Sequence, residues 1–500
     1  MKIIKSATLV NIEANEVNVE ATFTKGLPSF TIVGLPSDQI KESKDRVKSA
    51  LLTNEYKFPP KKITINLAPS EIKKTGTHFD LPIALLISLY EDKKIVFDDI
   101  HIFGELSLNG EIKDSNNIFP IILSLAKENK IKNVLVCNKS AKKISKIPNI
   151  NIYCVKNLLE AIAFFHAEDK KIYLYKKEIF KYEKLNINGK EYYFENFYEN
   201  DFIDIKGQEN AKRAALIAAA GNHNILLEGS PGCGKSMLAK RLPFIMAPMS
   251  LDEILEIAKL QALDLKEPDF RPLRVSRSPH CSSTKASIVG SSNSLGEIAL
   301  ANAGVLFFDE LPHFPTSILE SLREPLEDNS LLISRANSKV KYKTKFLFIG
   351  AMNPCPCGNL LSRNKSCRCN ELEIRRYKNR LSEPFLDRID LYVIMNETNI
   401  EDKPSFNSKS LHEKVIEAFK MQILRGQDEL NGKLNDKQVN KFCILDEESR
   451  DLLYKATNNF NLSFRSMNKV LKVARTIADL ESSLNIKKEH ILESLNYRKR

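Results

Sequence analysis

The segment Asn224–Leu242 reads NILLEGSPGCGKSMLAKRL, and it decides how the central part of the chain folds. An apolar run, Ile225–Leu227, leads into a glycine-rich loop of the form G-x-x-x-x-G-K-[ST], and a helix-forming run follows. Strand, loop and helix in this order are the context in which the motif binds nucleotide phosphates. A strand–turn–helix corner that merely contains glycines is the alternative, and the complete match disfavours it.

The chemistry of the loop explains why these residue types are needed. Glycines let successive backbone N–H groups point at a phosphate, and the following helix adds the positive end of its dipole. Lys235 is expected to reach the outer phosphates, and the Ser236 hydroxyl is expected to ligate Mg²⁺. The predicted nucleotide-binding residues of the loop are Gly229, Ser230, Pro231, Gly232, Cys233, Gly234, Lys235 and Ser236.

The second half of such a site is predicted after two later apolar runs. Val305–Phe308 reads as a buried parallel strand and ends in Asp309 and Glu310. The C-terminal edge of a parallel sheet is where α/β proteins bind ligands. We expect Asp309 to hold Mg²⁺ through water and Glu310 to orient or deprotonate the attacking water. A further strand ends near Asn353, whose side chain is expected to help position that water.

Composition limits the classes of protein that need consideration. Five hundred residues suggest about three domains. A net charge of +12 permits a polyanionic partner without demanding one, so any nucleic-acid surface must be a local cluster. No run of 18 apolar residues is present, and the N-terminal residues lack the apolar core of a signal peptide. The sequence therefore predicts a soluble cytoplasmic protein with reduced thiols and no membrane partner.

A row of lysines precedes Asn353 and is the most informative local charge pattern. Their spacing of two residues predicts one face of a strand, and no Asp or Glu occurs between Asp328 and Glu371. Such a row protects an exposed edge strand against aggregation. It equally suits contact with the phosphates of DNA, and the pattern alone does not separate these interpretations. The predicted DNA-binding residues are Lys339, Lys341, Lys343 and Lys345.

Two C-x-C pairs follow closely after Asn353. Four thiols at matched ends suggest a Zn²⁺ site, although structural zinc sites usually use C-x₂₋₄-C, and free thiols remain the alternative. The candidate ligands are Cys355, Cys357, Cys367 and Cys369. A basic run overlaps the cysteines and contains Arg363, Lys365, Arg368, Arg375, Arg376, Lys378 and Arg380.

The first 165 residues are predicted to form a mixed α/β domain. The segments INLAPSEIKKTGTHFDLPIAL (65–85) and FGELSLNGEIK (103–113) resemble the domain of Lon-type proteases. His78 stands where that family has its nucleophilic serine, and Asp114–Asn117 stand where the partner lysine would follow. We therefore interpret this domain as non-proteolytic. It is expected at 1–165, followed by a linker at 166–200, an ATPase core at 201–396 and a helical lid at 397–500.

Several motifs together resemble one family across nearly the whole chain. They are GQENAKRAALIAAAGNHNILLEGSPGCGKSMLAKRLP, GVLFFDELPHFP, AMNPCPCG, SEPFLDRID and SFRSMNKVLKVARTIADL. These motifs resemble the ComM/YifB family of Mg-chelatase-like AAA+ ATPases. The resemblance implies an α/β P-loop AAA+ core, an N-terminal Lon-protease-like domain related to ribosomal protein S5 domain 2, and a C-terminal helical lid.

The resemblance also assigns roles to residues. It implies ATP and Mg²⁺ as cofactors, a homo-hexameric ring, and Asn353 as sensor 1. Arg388 becomes the arginine finger of a neighbouring subunit, although its spacing alone would favour an ordinary surface ion pair. Arg465, at the start of a C-terminal helix, becomes sensor 2. A second pore hairpin is expected near residues 279–296, and the lysine hairpin is expected to project toward the pore.

The motifs leave two functions open and disfavour a third. The leading hypothesis is an ATP-driven DNA translocase or helicase that promotes branch migration of single-stranded or branched DNA during natural transformation, as the resemblance implies. The alternative is a chelatase-type remodelling ATPase that acts on a protein partner. A Ser–Lys protease is disfavoured because neither catalytic residue is present.

Overall fold

The computed structural model describes residues 2–97, 99–177, 180–291, 294–335, 338–397, 401–460 and 462–498, with backbone only at 334, 335 and 338. The chain divides into two compact units. The first contains Met1–Lys181 and Ala258–Phe270, and the second contains Tyr182–Ile257 and Arg271–Arg500. The expected core and lid thus belong to one compact unit.

The first unit is built on a seven-stranded mixed sheet with helices packed against it. The sheet strands are β1 Ile3–Val10, β2 Glu13–Thr24, β3 Ser29–Val33, β4 Lys62–Ala68, β5 Ile100–Ile102, β8 Asn133–Val136 and β9 Asn151–Cys154, and a short hairpin pairs β6 Glu105–Leu106 with β7 Ile112–Lys113. The strands lie in the sheet in the order β3-β4-β2-β1-β5-β8-β9. The helices are α1 Asp38–Lys41, α2 Ser43–Thr53, α3 Asp80–Ser88, α4 Ile118–Lys127, α5 Asn138–Ile144 and α6 Leu158–His166.

Burial explains the core of this unit. Along β2 and β4 the buried residues alternate with exposed ones, as expected for strands with one face against a core. Helix α3 is apolar on all sides and almost completely buried. The segment Ala258–Phe270, which lies far away in sequence, belongs to the same unit, and Phe270 packs edge-on against Phe119 with 5.3 Å between ring centroids.

The second unit is organised by a five-stranded parallel sheet in the order β14-β15-β18-β12-β19. Helices follow its strands, as parallel connections require. The strands are β12 Ile225–Gly229, β14 Ser276–Arg277, β15 Val305–Phe308, β18 Leu347–Met352 and β19 Leu391–Met395. The helices of this part are α7 Glu209–Gly221, α8 Lys235–Arg241, α10 Lys285–Val289, α11 Glu297–Leu300, α12 Thr316–Ser321, α13 Arg323–Asp328, α14 Glu371–Lys378 and α15 Glu383–Leu386. Helix α9 Leu251–Leu263 begins in this unit, and its residues from Ala258 onward belong to the first unit.

Two smaller sheets accompany the parallel one. β10 Glu183–Ile187 and β11 Lys190–Phe194 form a hairpin that pairs with β13 Met249–Ser250. β16 Ser330–Arg335 and β17 Ser338–Lys343 form a separate hairpin directly before β18. The segment expected as a linker thus contains an ordered hairpin that belongs to the second unit.

The C-terminal part is helical, as predicted. It contains α16 Ser408–Leu424, α17 Asp436–Phe442, α18 Glu447–Asn459, α19 Phe464–Leu480 and α20 Lys488–Asn496. The chain therefore has the expected class: a mixed α/β protein with a parallel-sheet core and a helical C-terminal region. The described part of the segment expected to form a second pore hairpin, 279–296, contains the short helix α10 and an antiparallel bridge between Gly290 and Leu295.

Candidate functional site

The glycine-rich loop connects β12 to α8 with the geometry of a phosphate-binding loop. Gly232 and Gly234 have φ angles of 82° and 97°, in the left-handed region that side chains disfavour. At Gly229 an added Cβ would lie 2.6 Å from the Cys233 sulfur and 2.7 Å from the Met395 carbonyl oxygen. These positions require glycine for backbone reasons that are independent of any ligand.

Lys235 occupies the centre of this loop. Its ammonium group donates to the backbone carbonyls of Gly229 and Ser230 and, over 3.1 Å, to Oδ1 of Asn353. Burial lowers the pKa of Lys235 from its ordinary value, although the nearby Cys233 and Asp309 oppose the shift. The ammonium group therefore lies in the loop, within reach of phosphate oxygens.

The carboxylate end of β15 meets this loop. The Ser236 hydroxyl donates to Oδ2 of Asp309 over 2.8 Å, and the backbone N–H of Glu310 donates to the other oxygen over 2.9 Å. Glu310 has a left-handed backbone, with φ 51° and ψ 44°, and its side chain is exposed. Holding a non-glycine residue in this conformation costs about 1 kcal/mol or more. Residues with such strained backbones cluster at functional sites.

Sheet pairing explains why these residues converge. β12 lies between β18 and β19, and Glu228 is paired with Met352, one residue before Asn353. β18 in turn pairs Gly350 with Phe308, one residue before Asp309. The structure thus brings together Lys235, Ser236, Asp309, Glu310 and Asn353 at the C-terminal edge of one sheet. Ser236 and Asp309 present hard oxygen ligands that fit Mg²⁺.

Arg388 lies at the opposite edge of the same sheet. It precedes β19, whose first residue, Leu391, pairs with Ile225 at the start of β12, whereas the phosphate loop begins at Gly229. The five-residue strand β12 spans roughly 17 Å at the usual rise per residue. Arg388 is therefore separated from the phosphate loop of its own chain by about the length of a strand.

Arg388 and Arg465 meet at one carboxylate. Carboxylate oxygens of Glu327 lie 3.4 Å from Nε of Arg388 and 2.9 Å from Nη2 of Arg465. Burial lowers the pKa of Arg388, and Glu327 partly offsets the effect. The structure thus pairs the predicted finger and the predicted sensor 2, which the sequence places in different domains.

The four clustered cysteines converge at one point. The Sγ atoms of Cys355, Cys357 and Cys367 lie 3.4–3.6 Å apart, and all four sulfurs lie within 4.8 Å of one another. Zn²⁺ held tetrahedrally by thiolates at about 2.3 Å places its sulfurs about 3.8 Å apart, so the cluster fits this ion. Backbone N–H groups of Asn359 and Arg368 lower the pKa of Cys357 to about 6, whereas burial raises the pKa of Cys355.

We call residues 355–370 the cysteine knuckle, and it packs directly on the phosphate loop. An added Cβ on Gly358 would lie 2.7 Å from the Pro231 ring. Helix α14, which follows the knuckle, sends Lys378 to Glu228 of β12, with 2.9 Å between ammonium and carboxylate. Glu228 is buried and directly precedes the loop. The knuckle and the helix that follows it thus each contact residues at the start of the nucleotide site.

The predicted lysine row is found on the hairpin β16–β17, with one difference. Val340 and Tyr342 are buried, whereas Lys339, Lys341 and Lys343 are exposed on the other face. β17 ends at Lys343, and Lys345 lies beyond it in an ion pair with Glu429. Three of the four predicted lysines thus share one exposed face, and the fourth is engaged elsewhere.

Two supporting residues were missed in the sequence. Gln208 donates its amide to the carbonyl of Cys233 over 3.2 Å and also to the carbonyl of Asn396, which ties the start of α7 to the phosphate loop. Asp390 accepts the backbone N–H of Asn224 at 2.9 Å and lies 3.2 Å from the ammonium of Lys469. Both residues lie inside motifs that resemble the family, Gln208 at the start of GQENAKR and Asp390 at the end of SEPFLDRID, but the motifs do not show the partners of either.

In the first unit, the position of the Lon-type nucleophile holds a structural histidine. His78 is completely buried, and its Nε2 lies 2.8 Å from the carbonyl oxygen of Ala7. Burial lowers the pKa of His78 to about 4, so the ring is neutral at physiological pH. Asp114, near the expected lysine position, is bound to Lys143 at 2.8 Å and to Ser140 at 2.5 Å.

The parallel sheet, phosphate loop and convergent carboxylates define a P-loop nucleoside triphosphatase of the AAA+ type. Three family profiles match the chain: "Magnesium chelatase, subunit ChlI" over residues 201–403, "Subunit ChlI of Mg-chelatase" over 19–140, and "Magnesium chelatase, subunit ChlI C-terminal" over 405–498. The chain belongs to the ComM/YifB family of Mg-chelatase-like AAA+ ATPases.

Full-length relatives support this membership. The chain is 36% identical to Competence protein ComM of Haemophilus influenzae over 100% of its own length and 97% of that protein. It is 34% identical to the uncharacterized protein YifB of Escherichia coli and to that of Salmonella typhimurium, with the same coverage. Among the described residues, no helix combines the length and apolarity needed to cross a bilayer.

Proposed function

We propose that this protein is an ATP-driven DNA translocase that works as a homo-hexamer in the cytoplasm. One observation carries the proposal: the lysine hairpin leads through residues 344–346 into β18, the strand that ends one residue before Asn353, which contacts Lys235. A surface suited to DNA phosphates is thus joined by one strand to the residue that senses the nucleotide. The similarity to a protein named for competence further supports branch migration during natural transformation.

The residues at the sheet edge divide the chemistry of hydrolysis among them. Ser236 and Asp309 would hold Mg²⁺, which would neutralise charge on the phosphates. Lys235 contacts the outer phosphates, and Glu310 orients the attacking water and accepts its proton. Asn353 bonds Lys235 in this structure and is placed to exchange that contact for a phosphate oxygen.

The hexamer is supported by the position of the arginines. Because Arg388 lies at the far edge of the sheet, it serves the phosphate loop of a neighbouring subunit. Arg465 shares Glu327 with Arg388 and acts at the same interface. Guanidinium groups stabilise the charge that develops on the transferred phosphoryl group.

The proposal is tested by measuring whether the protein displaces a DNA strand when it hydrolyses ATP. ATP hydrolysis is measured with and without single-stranded DNA, and unwinding is measured on forked and three-stranded substrates, with Lys235→Ala as the inactive control. We expect DNA to stimulate hydrolysis and the hexamer to displace a strand. An assembled hexamer that hydrolyses ATP but neither binds DNA nor displaces a strand contradicts the proposal.

The alternative is a remodelling ATPase that acts on a protein. The matching profiles are those of a magnesium chelatase subunit, and this observation favours the alternative. It predicts capture of a stable protein client by a Glu310→Gln variant locked with ATP, together with no DNA binding.

A further inference from the structure

A second cationic surface lies on the cysteine knuckle and helix α14. Its side chains are all exposed, and they come from both the loop between the cysteine pairs and the adjoining helix. We call them the knuckle cations: Arg363, Lys365, Arg368, Arg375, Arg376 and Arg380.

The knuckle cations outnumber the carboxylates around them. Within the described part of the chain, none of them forms an ion pair, whereas Lys378 in the same helix is paired with Glu228. Glu397 accepts the backbone N–H of Arg363, and a hydrogen bond from Ser362 together with the charges of Arg363 and Lys365 lowers its pKa. Six cations against Glu371, Glu373 and Glu397 leave the surface with a net positive charge.

The backbone of the knuckle and of helix α14, which carries these cations, is held in place by contacts at several points. The cysteine cluster brings the two ends of the knuckle together, and the capping box at Asn370 fixes the start of α14. Buried Tyr377 holds the helix against the core. Guanidinium groups donate two parallel hydrogen bonds in a planar arrangement that matches phosphate oxygens.

The surface is separate from the lysine hairpin. The hairpin joins the N-terminal end of β18, and the knuckle follows the C-terminal end, so the strand lies between them. The knuckle also touches the phosphate loop through Gly358 and Pro231, and α14 touches it through Lys378 and Glu228. A polyanion on the knuckle would therefore lie beside the nucleotide site, whereas the hairpin is connected to that site through β18.

From these observations we propose that the knuckle cations bind the phosphate backbone of a DNA strand at a second site, distinct from the hairpin, and that binding there stimulates ATP hydrolysis. This inference rests on the proposed function and adds a second strand contact to it. A protein that exchanges strands must hold more than one, and two surfaces on opposite edges of one sheet provide for that.

The test compares three triple variants of the full-length protein. The knuckle variant is Arg375→Ala, Arg376→Ala and Arg380→Ala, and the hairpin variant replaces Lys339, Lys341 and Lys343 with Ala. The control removes three exposed charges from the lid by changing Lys437, Arg450 and Lys455 to Ala. Binding of a labelled oligothymidylate is followed by fluorescence anisotropy over a salt series, alongside ATP hydrolysis with and without it.

We expect the knuckle variant to bind at least tenfold more weakly and to lose up to about 2 from the salt slope, since each single-strand phosphate contact contributes about 0.7. DNA stimulation of ATP hydrolysis should fall, and Arg→Lys changes at the same three positions should restore binding. The lid control should match the wild type, and equal melting temperatures show that all variants fold.

Two other outcomes overturn the inference in distinguishable ways. If the wild type binds DNA and only the hairpin variant is weakened, the second site is absent and the proposed function stands. If the wild-type hexamer binds no DNA at all, both proposals are wrong.

Discussion

At the scale of single residues, Lys235 and Glu310 are expected to separate nucleotide binding from hydrolysis. Lys235→Ala removes the buried ammonium that faces the phosphates, so we expect a loss of ATP binding by at least tenfold. Glu310→Gln keeps the shape of the side chain but cannot accept a proton, so ATP should stay bound while hydrolysis falls at least 100-fold. Fluorescent-nucleotide binding and phosphate release measure the two effects. Hydrolysis at the normal rate by Glu310→Gln would show that its assigned role is wrong.

Asp390 offers a test of stability at the same scale. Burial alone would raise its pKa, but Lys469 and His223 outweigh burial and hold the pKa well below its usual range. A depressed carboxyl pKa stabilises the fold above the unfolded-state pKa of about 4, and the effect is lost only as pH falls through the folded-state value. We therefore expect Asp390→Asn to lower the free energy of unfolding by about 3 kcal/mol at neutral pH, because buried cations lose their partner.

The pH dependence of that difference is the sharper measurement. In urea unfolding of both proteins, the difference should keep its full size between about pH 8 and pH 5 and shrink below about pH 4. Lys420→Ala, which removes one side of an exposed pair with Glu417, should cost less than 1 kcal/mol. If Asp390→Asn lowered the free energy of unfolding no more than Lys420→Ala does, the stabilising contacts assigned to Asp390 with Lys469 and His223 would be wrong.

The residue scale also shows what a sequence can predict about a site. The phosphate loop, Asp309, Glu310 and Asn353 were found because fixed residue types follow apolar strands, and strand order then brings them together. Gln208 and Asp390 lie within quoted family motifs, but their roles were not predicted because their partners, Asn396 and Lys469, lie far away in the chain. Motif spacing records local geometry, whereas a contact between distant segments leaves no local trace.

At the scale of elements, the hairpin β16–β17 provides a matched comparison. Changing Lys339, Lys341 and Lys343 to Ala should lower the dependence of log Kd on log salt by about 2, uniformly across DNA sequences. Lys345→Ala should change it little, since that ammonium is already paired with Glu429. Anisotropy titrations at several salt concentrations measure both. Equal slopes for the triple variant and the wild type would leave the lysines as protection of an edge strand.

The cysteine knuckle is a second element with a direct test. Because its four sulfurs fit a tetrahedral metal, purified protein should contain about one zinc per subunit. Removing the metal with a chelator should lower both the melting temperature and ATP hydrolysis, because the knuckle packs on Pro231. Cys357→Ser should lose the metal, and Cys281→Ser, outside the cluster, should keep it. Elemental analysis that finds no metal would favour free thiols.

The segment 166–200 contains a hairpin signal within a polar sequence that otherwise resembles a linker. The segment 166–200 was interpreted as a linker because it is polar and lacks a clear period. It nevertheless contains Asn188–Gly189, both with positive φ, between β10 and β11. An Asn-Gly pair flanked by strand-forming residues is the strongest short-range signal of a hairpin. Burial of Tyr192 and Tyr193 in the second unit then gives the hairpin its stability.

At the scale of the whole molecule, the fold class and its order along the chain were predictable, whereas the division into compact units was not. Segment 258–270 belongs with the first unit although it lies inside the nucleotide-binding sequence. Its apolar residues are compatible with packing in either unit, and only tertiary contacts such as Phe270 with Phe119 decide between them. Local patterns specify elements, but the choice of partner for an apolar face depends on the complete chain.

The whole assembly is tested by mixing two inactive proteins. Lys235→Ala subunits lack a working phosphate loop but keep Arg388, and Arg388→Ala subunits keep the loop but lack the arginine. If Arg388 acts across the interface, an equal mixture places an intact loop beside an intact arginine at about one interface in four, since both must occur by chance. We therefore expect ATP hydrolysis to recover to about a quarter of the wild-type rate, while each variant alone stays at least 1,000-fold below it.

Co-purification of differently tagged subunits confirms that mixed rings form. Mixed rings without recovered hydrolysis would show that Arg388 acts within its own chain, and the separation of Arg388 from the phosphate loop by strand β12 predicts the opposite.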